Sequence, residues 1–132
     1  MRTGGCQCGA VRYEAHGDPQ HHALCHCSDC RASAGAPAVA WMAFAEGDVR
    51  VTQGDLKVYA GKNGALRHFC PNCGTGLLYT NAAMLPGIID VQSATLDSAA
   101  DEAPGAQIQC ADRLAWMKQL DDIVEFERYP GM

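Results

Sequence analysis

The most distinctive feature of the sequence is that seven of its eight cysteines fall into three short clusters. They are Cys6-x-Cys8, Cys25-x-Cys27-x-x-Cys30 and Cys70-x-x-Cys73, named here the first, second and third clusters. Thiolates two or three residues apart can converge on one tetrahedral zinc ion, whereas a disulfide between such close neighbours would be badly strained. Since seven ligands exceed the four positions around one zinc ion, the sequence predicts two zinc ions per chain.

The first and third clusters together have the composition of a closed structural zinc site. In the third cluster, Pro71 stiffens the turn and Gly74 permits the positive φ that follows the second ligand of a zinc knuckle. Cys6 and Cys8 lie two residues apart at a strand end, so they point the same way and can supply the other two ligands. We expect a four-cysteine site that stabilises the fold. Spacing alone leaves other pairings, a disulfide or buried free cysteines open as alternatives.

The second cluster is different because its three sulfurs leave one position of a zinc ion free. An open position is the mark of a reactive zinc site. Three thiolates make the ion a weak Lewis acid, which favours binding a substrate thiol as thiolate over activating a water molecule. Two alternatives stay open, a cluster that holds no metal and a site closed by a fourth protein ligand. The candidate fourth ligands are His26, His68 and Cys110.

Charge and composition exclude two broad classes of partner. The net charge is −5 and the ten basic residues are scattered, whereas a nucleic-acid surface requires a basic stripe. The chain reaches its first cluster at Cys6, which leaves no room for a signal peptide, and its apolar stretch at residues 36–45 is too short to span a bilayer. We therefore expect a cytoplasmic protein without nucleic-acid or membrane partners, because a reducing compartment suits free thiols.

Alternating or apolar runs bounded by glycine and proline predict a mainly β fold, most simply a meander of antiparallel strands with short helical turns. Strands are predicted over residues 8–14, 39–44, 48–52, 56–59, 76–79, 88–91 and 123–129. Ser28 and Asp29 can cap a helical turn over 30–33 that Gly35 ends, which places the second cluster at a helix N-terminus, where anions are favoured. A loop is predicted over 97–105 and a helical turn over 114–117. Because no domain boundary is evident, residues 1–132 are expected to form one domain.

Residues outside the clusters have plainer predicted roles. The aromatic residues expected in the core are Trp41, Phe44 and Trp116, one of which could also line a pocket. The histidines expected to face solvent are His16, His21 and His22. Cys110 stands alone and is expected to be a small buried residue. The basic residues that flank the clusters, and could pair with carboxylates of a substrate, are Arg31, Lys62 and Arg67.

The order of these motifs resembles the glutathione-dependent formaldehyde-activating enzyme family, which shares its domain with centromere protein V. The segments that carry the resemblance are residues 5–13, 25–31, 69–75, 88–91 and 111–116. It implies a zinc-stabilised β-rich tent of sheets, with a structural zinc on the first and third clusters and a further zinc on the second. It also implies carbon–sulfur lyase chemistry, in which glutathione adds to formaldehyde. Many relatives carry His-Ile-Trp where this chain has Gln107-Ile108-Gln109.

The preferred hypothesis is an enzyme that forms or cleaves a thiol–aldehyde adduct at the zinc held by Cys25, Cys27 and Cys30. Its partners would be a small-molecule thiol such as glutathione and an aldehyde. No acid or base is assigned, because the histidines and carboxylates form no triad in sequence. One alternative is a non-catalytic, zinc-stabilised protein-binding module. Another is a sulfoxide reductase with Cys110 as nucleophile, although nothing around that residue marks an activated thiol.

Overall fold

The computed structural model describes residues 1–131. They contain ten short strands, one α-helix and seven 3-10 turns. The strands are β1 (Arg2–Gly5), β2 (Arg12–Ala15), β3 (His21–Cys25), β4 (Val39–Ala45), β5 (Val49–Gln53), β6 (Lys57–Ala60), β7 (Leu66–Phe69), β8 (Gly76–Thr80), β9 (Ile88–Gln92) and β10 (Ala106–Ile108). The helix α1 spans Ser28–Ala34. The fold is therefore mainly β, as predicted, and residue 132 of the expected domain lies outside the described residues.

The strands form two sheets. The smaller has the order β1-β2-β5, and the larger has the order β10-β3-β4-β9-β8-β7-β6. Neighbouring strands are antiparallel except β10 and β3, which run parallel. Strands β6 to β9 form the expected meander, but β5 pairs with β2 and β4 pairs with β9. The simple meander is thus only partly right, because two of the predicted strands find partners distant in sequence.

The main core contains residues from both sheets and includes cysteines of two clusters. Tyr13 of β2, Phe44 of β4 and Leu77 of β8 belong to it and are at most 1% exposed. Burying each large apolar side chain contributes about 1.5–3 kcal/mol. Burial also raises the pKa of Tyr13 to about 12, and its hydroxyl is satisfied by Thr95 Oγ1 at 2.7 Å. Because Cys6 belongs to the same apolar cluster, the core holds the turn after β1 in a fixed position.

Most of the predicted strands are confirmed within one or two residues of their ends. The predicted strand over 8–14 begins only at Arg12, because the chain turns after Cys6, where the Gly9 amide donates to the Cys6 carbonyl oxygen at 3.2 Å. The predicted strand over 123–129 is wrong, since within residues 1–131 this segment pairs with no strand. An alternating pattern favours a strand only when a neighbouring strand is available to pair with it.

The prediction that Trp41, Phe44 and Trp116 all lie in the core is also partly wrong. Trp41 and Phe44 are buried as expected, but Trp116 is 45% exposed. The helical turn predicted over 114–117 is present at Ala115–Lys118, and it lies outside the core. Among the described helices, none has both the length and the apolar character needed to cross a membrane.

Candidate metal centres and the adjoining cavity

The first and third clusters meet in space, as their spacing led us to expect. The sulfur atoms of Cys6, Cys8, Cys70 and Cys73 all lie within 4.8 Å of one another. The Cys6–Cys8 Sγ distance is 3.6 Å and the Cys8–Cys70 Sγ distance is 3.8 Å. Four sulfurs about 2.3 Å from a tetrahedral zinc ion would be about 3.8 Å apart, so the arrangement fits that metal. All eight cysteines are free, which removes the disulfide alternative.

Backbone and side-chain donors around these sulfurs favour the thiolate form. The Val11 amide donates to Cys6 Sγ at 3.2 Å, and the Asn72 side-chain amide donates to Cys8 Sγ at 3.2 Å. The Thr75 hydroxyl, 3.2 Å from Cys73 Sγ, contributes most to lowering the pKa of Cys73 to about 5. Gly74 has a φ of 82°, as the knuckle requires. The donors and the turn together give a site suited to a cation.

The second cluster is assembled where β3 runs into α1. The sulfur atoms of Cys25, Cys27 and Cys30 lie within 4.8 Å of one another, with Cys25 ending β3 and Cys30 in the first turn of α1. Cys27 is the N-cap residue, and its sulfur accepts a hydrogen bond from the Cys30 amide at 3.2 Å. The expected caps, Ser28 and Asp29, already lie inside the helix, whereas Gly35 ends it as predicted.

Hydrogen bonds between the three thiols shift their pKa values in opposite directions. The pKa of Cys30 falls to about 5, chiefly because Cys25 donates a hydrogen bond to it, with further contributions from Cys27, Arg67 and Trp41. The same hydrogen bond raises the pKa of Cys25. A thiolate at Cys30 is also favoured by its place at the N-terminal end of α1. Within the cluster, Cys30 is therefore the sulfur most favoured as thiolate.

No fourth histidine, cysteine or carboxylate among residues 1–131 joins the three sulfurs. His26 is fully buried and places Nε2 2.8 Å from Gln107 Oε1. His68 places Nε2 3.0 Å from Thr80 Oγ1. Cys110 is exposed, so the expectation that it is buried was wrong. None of the three candidate fourth ligands therefore joins the group, and within residues 1–131 the second cluster has three ligands and an open side.

Of the flanking basic residues, Arg67 reaches the second cluster. Its Nη2 lies 3.8 Å from Cys30 Sγ and donates to Asp29 Oδ2 at 2.7 Å. The guanidinium lies 5.1 Å from the ring centroid of Tyr79, which contacts Trp41 in a tilted ring pair. The Arg67 side chain is only 11% exposed. A largely buried cation between an aromatic ring and a cluster sulfur is suited to orient an anionic group beside the cluster.

The other two basic residues have different surroundings. Arg31 donates from Nη1 to the carbonyl oxygens of His26 at 2.9 Å and Asp112 at 2.6 Å. It therefore links the start of α1 to the segment around Asp112. Lys62 lines a cavity of about 490 Å³ on the other side of Asp29. The sequence placed all three beside the clusters without distinguishing their roles, because those roles depend on strands that come from other parts of the chain.

A larger cavity of about 770 Å³ lies between the two sulfur sites. Its wall includes Asp29, Trp41 and Arg67 next to the second cluster, and Gly74 and Thr75 next to the third. Its size falls within the roughly 300–1,000 Å³ of typical small-molecule sites. The prediction that one aromatic residue lines a pocket is confirmed for Trp41. The roles of Asp29 and Thr75 were missed, although both lie inside the motifs and that position was an available signal.

The remaining histidines are less uniform than expected. His16 is exposed and lies 3.0 Å from Glu14 Oε2. His21 and His22 are part of β3, where His21 is exposed but His22 is partly buried, with Nε2 2.8 Å from Ser93 Oγ. Burial lowers the pKa of His22. None of the three belongs to a candidate metal group in the described chain.

A mainly β fold that brings seven cysteines into a group of four and an open group of three defines a class of β protein with two candidate metal centres. The family model described as glutathione-dependent formaldehyde-activating enzyme matches residues 1–112, and the chain belongs to this family. The resemblance seen in the motifs is confirmed.

Two similar proteins accompany the family match. A Schizosaccharomyces pombe protein named as an uncharacterised lyase is 35% identical over 80 residues, which cover 59% of this chain. The match spans only 58% of that protein's length. The crystal structure of a Rhodobacter sphaeroides protein is 28% identical, with a TM-score of 0.63, and the match covers 80% of this chain and 98% of the other.

Proposed function

We propose that the protein is a zinc-dependent carbon–sulfur lyase-type enzyme that forms or cleaves an adduct between a thiol, glutathione or a similar one, and an aldehyde. The observation that carries the proposal is the open three-sulfur cluster beside a cavity of about 770 Å³. Family membership supports the thiol and the aldehyde as substrates. One structural zinc on the first and third clusters and one zinc on the second complete the proposal.

The reaction requires little acid–base machinery. In adduct formation the thiol sulfur bonds to the carbonyl carbon, the thiol proton leaves, and the carbonyl oxygen gains a proton. Nothing is oxidised or reduced, and cleavage reverses each change. Zinc on the second cluster would supply a positive charge that lowers the pKa of an incoming thiol.

The protein side chains would position the reactants. Arg67 offers a largely buried cation next to Cys30, and Trp41 gives the cavity an apolar wall that limits the access of water. Thr75 and Gly74 give the opposite wall a polar edge. Holding thiol and aldehyde together in this cavity converts a bimolecular addition into a reaction between bound groups.

Two further expectations join the proposal. The free thiols suit a reducing compartment, so we place the protein in the cytoplasm. We also regard residues 1–132 as one domain, because the main core includes cysteines of the first and third clusters.

Matched serine variants of the two sulfur sites test this function. Cys27→Ser should lose one zinc ion and most of the adduct-forming activity while keeping the fold. Cys8→Ser, the matched control in the four-cysteine site, should lose the other ion and unfold at a lower temperature, because structural zinc binding is coupled to folding. Native mass spectrometry counts the zinc ions, circular dichroism follows unfolding, and ¹³C exchange NMR with formaldehyde and glutathione measures the rate.

Two results would contradict the proposal. A folded Cys27→Ser variant with full activity would remove the second cluster from the reaction. A parent protein with two zinc ions and no rate above the spontaneous addition, with glutathione or with other thiols, would favour the alternative of a zinc-stabilised binding module.

A further inference from the structure

The larger sheet has an exposed edge at β6. This strand is last in the order of the larger sheet and, among residues 1–131, it pairs only with β7. All four of its residues are exposed, including Val58 at 47% and Tyr59 at 63%. An edge strand with unpaired backbone groups and exposed apolar side chains readily accepts a strand from another chain.

The segment from residue 113 to residue 131, named here the distal arm, carries a second exposed apolar surface. It forms no strand within the described residues. Its exposed large apolar residues are Trp116, Leu120, Ile123, Val124, Phe126 and Tyr129. Val124 is 75% exposed and Tyr129 is 76% exposed. Apolar patches of this kind mark interaction sites, and residues 123–129 keep the alternation of a strand that lacks a partner.

The charges of the two surfaces are complementary. Residues 57–64, which contain β6 and the turn after it, include two lysines, Lys57 and Lys62, and no acidic residue. Residues 121–127 of the distal arm include four acidic residues and no basic one. A strand added along β6 from the arm would therefore bring opposite charges together across the new strand pair, which is favourable.

We propose that the distal arm of one copy docks along the β6 edge of a second copy, and that the exchange is reciprocal. Both surfaces stay exposed in the single chain, so one chain does not bring them together. Two-fold symmetry would form every contact twice and thus bury both arms and both edges. Since Tyr59 also lines the larger cavity, the docked arm of the partner lies at the rim of that cavity. This dimer is independent of the enzymatic function proposed above, because its test measures the association of two chains and not catalysis.

The test is sedimentation velocity of the full chain over a wide range of concentrations. A dimer of twice the 14.1 kDa chain mass is expected. Phe126→Asp in the arm should raise the dimer dissociation constant about tenfold or more, as loss of a central aromatic contact does. Val51→Asp, at the exposed edge of the smaller sheet, is the matched control and should leave the constant unchanged. Zinc content and thermal unfolding verify that each variant is folded.

A charge exchange tests the pairing itself. The double variant Lys57→Glu and Lys62→Glu should weaken the dimer, and adding Glu125→Lys and Glu127→Lys to the same chain should restore it. Hydrogen exchange at residues 57–60 should slow as the dimer forms. A monomer at every concentration would overturn the proposal. So would a dimer that Val51→Asp weakens and Phe126→Asp does not, or one that the compensating charges fail to restore.

Discussion

Replacing Arg67 with glutamine separates a role of this residue in the reaction from a role in stability. The substitution removes a guanidinium that lies 3.8 Å from Cys30 Sγ and is 11% exposed. A hydrogen bond to a charged group contributes about 1.5–3 kcal/mol, and each 1.4 kcal/mol corresponds to about a factor of ten. If Arg67 orients an anionic reactant, Arg67→Gln should lower kcat/KM about tenfold to a hundredfold.

The expected loss of stability is smaller. The Arg67→Gln variant loses a cation–π contact with Tyr79, which contributes about 0.5–1 kcal/mol. It also loses an ion pair with Asp29, which contributes about 0.2–1 kcal/mol because Asp29 is 60% exposed. The free energy of unfolding should therefore fall by about 1–2 kcal/mol. Such a change leaves the protein folded, so it cannot by itself account for a tenfold loss of rate.

The assay combines ¹³C exchange NMR for the rate with native mass spectrometry for the zinc count. Arg50→Gln is the matched control, because Arg50 is 73% exposed, pairs with Glu14 and lines neither cavity. Arg67→Lys should recover part of the rate, because it keeps the charge but not the planar fork. A variant Arg67→Gln that binds two zinc ions and keeps full kcat/KM would refute the role assigned to this residue. Loss of the second zinc ion would show that Arg67 supports metal binding instead.

Three further predictions concern the fold. Phe44→Ala should lower the free energy of unfolding by about 3–5 kcal/mol in urea titrations, because Phe44 is fully buried; a loss below about 1 kcal/mol would contradict its place in the core. Burial raises the pKa of Asp90 to about 6, so the stability it contributes is present at low pH and lost as the pH rises through 6. Relative to Asp90→Asn, the native protein should lose about 1 kcal/mol between about pH 5 and 7.5. Gln107→Leu should cost about 1–3 kcal/mol, since it leaves the buried His26 ring without its hydrogen-bond partner; an unchanged melting temperature would contradict this.

The convergence of sulfurs within each cysteine cluster was predictable because the information is local. Spacing within a few residues fixes which sulfurs of one cluster can converge, and the knuckle around Gly74 needs only its own sequence. Spacing left open which clusters pair, because Cys8 and Cys70 lie 62 residues apart. The cavity was not predictable in the same way. Its wall joins α1 to β7 and β8, so the position of Arg67 against Tyr79 depends on strand pairing between distant segments. The sequence therefore indicated a set of flanking basic residues but not which one reaches the sulfurs.

The distal part of the chain shows the limit of periodicity. The alternation over 123–129 satisfies the rule for a strand, but the rule describes one chain segment and not its neighbour. The short strand β10 shows the opposite case. Its three residues are too few to give a pattern, yet they pair in parallel with β3 and so bring Gln107 beside the second cluster. Pairing partners, rather than local preference, decide both outcomes.

The open side of the second cluster depends on that distant strand. His26 lies between two of the cluster cysteines and could turn toward them, but its amide donates to the Ile108 carbonyl oxygen at 3.1 Å. Gln107 Oε1 can only accept, and it also accepts from Arg113 Nη1 at 3.4 Å, so His26 Nε2 must carry the proton in this hydrogen bond. Held from β10 in this way, the ring contributes neither of its nitrogens to the group of three sulfurs. Strand pairing about eighty residues away in sequence thus helps to keep His26 out of the open cluster to which we assign the substrate thiol.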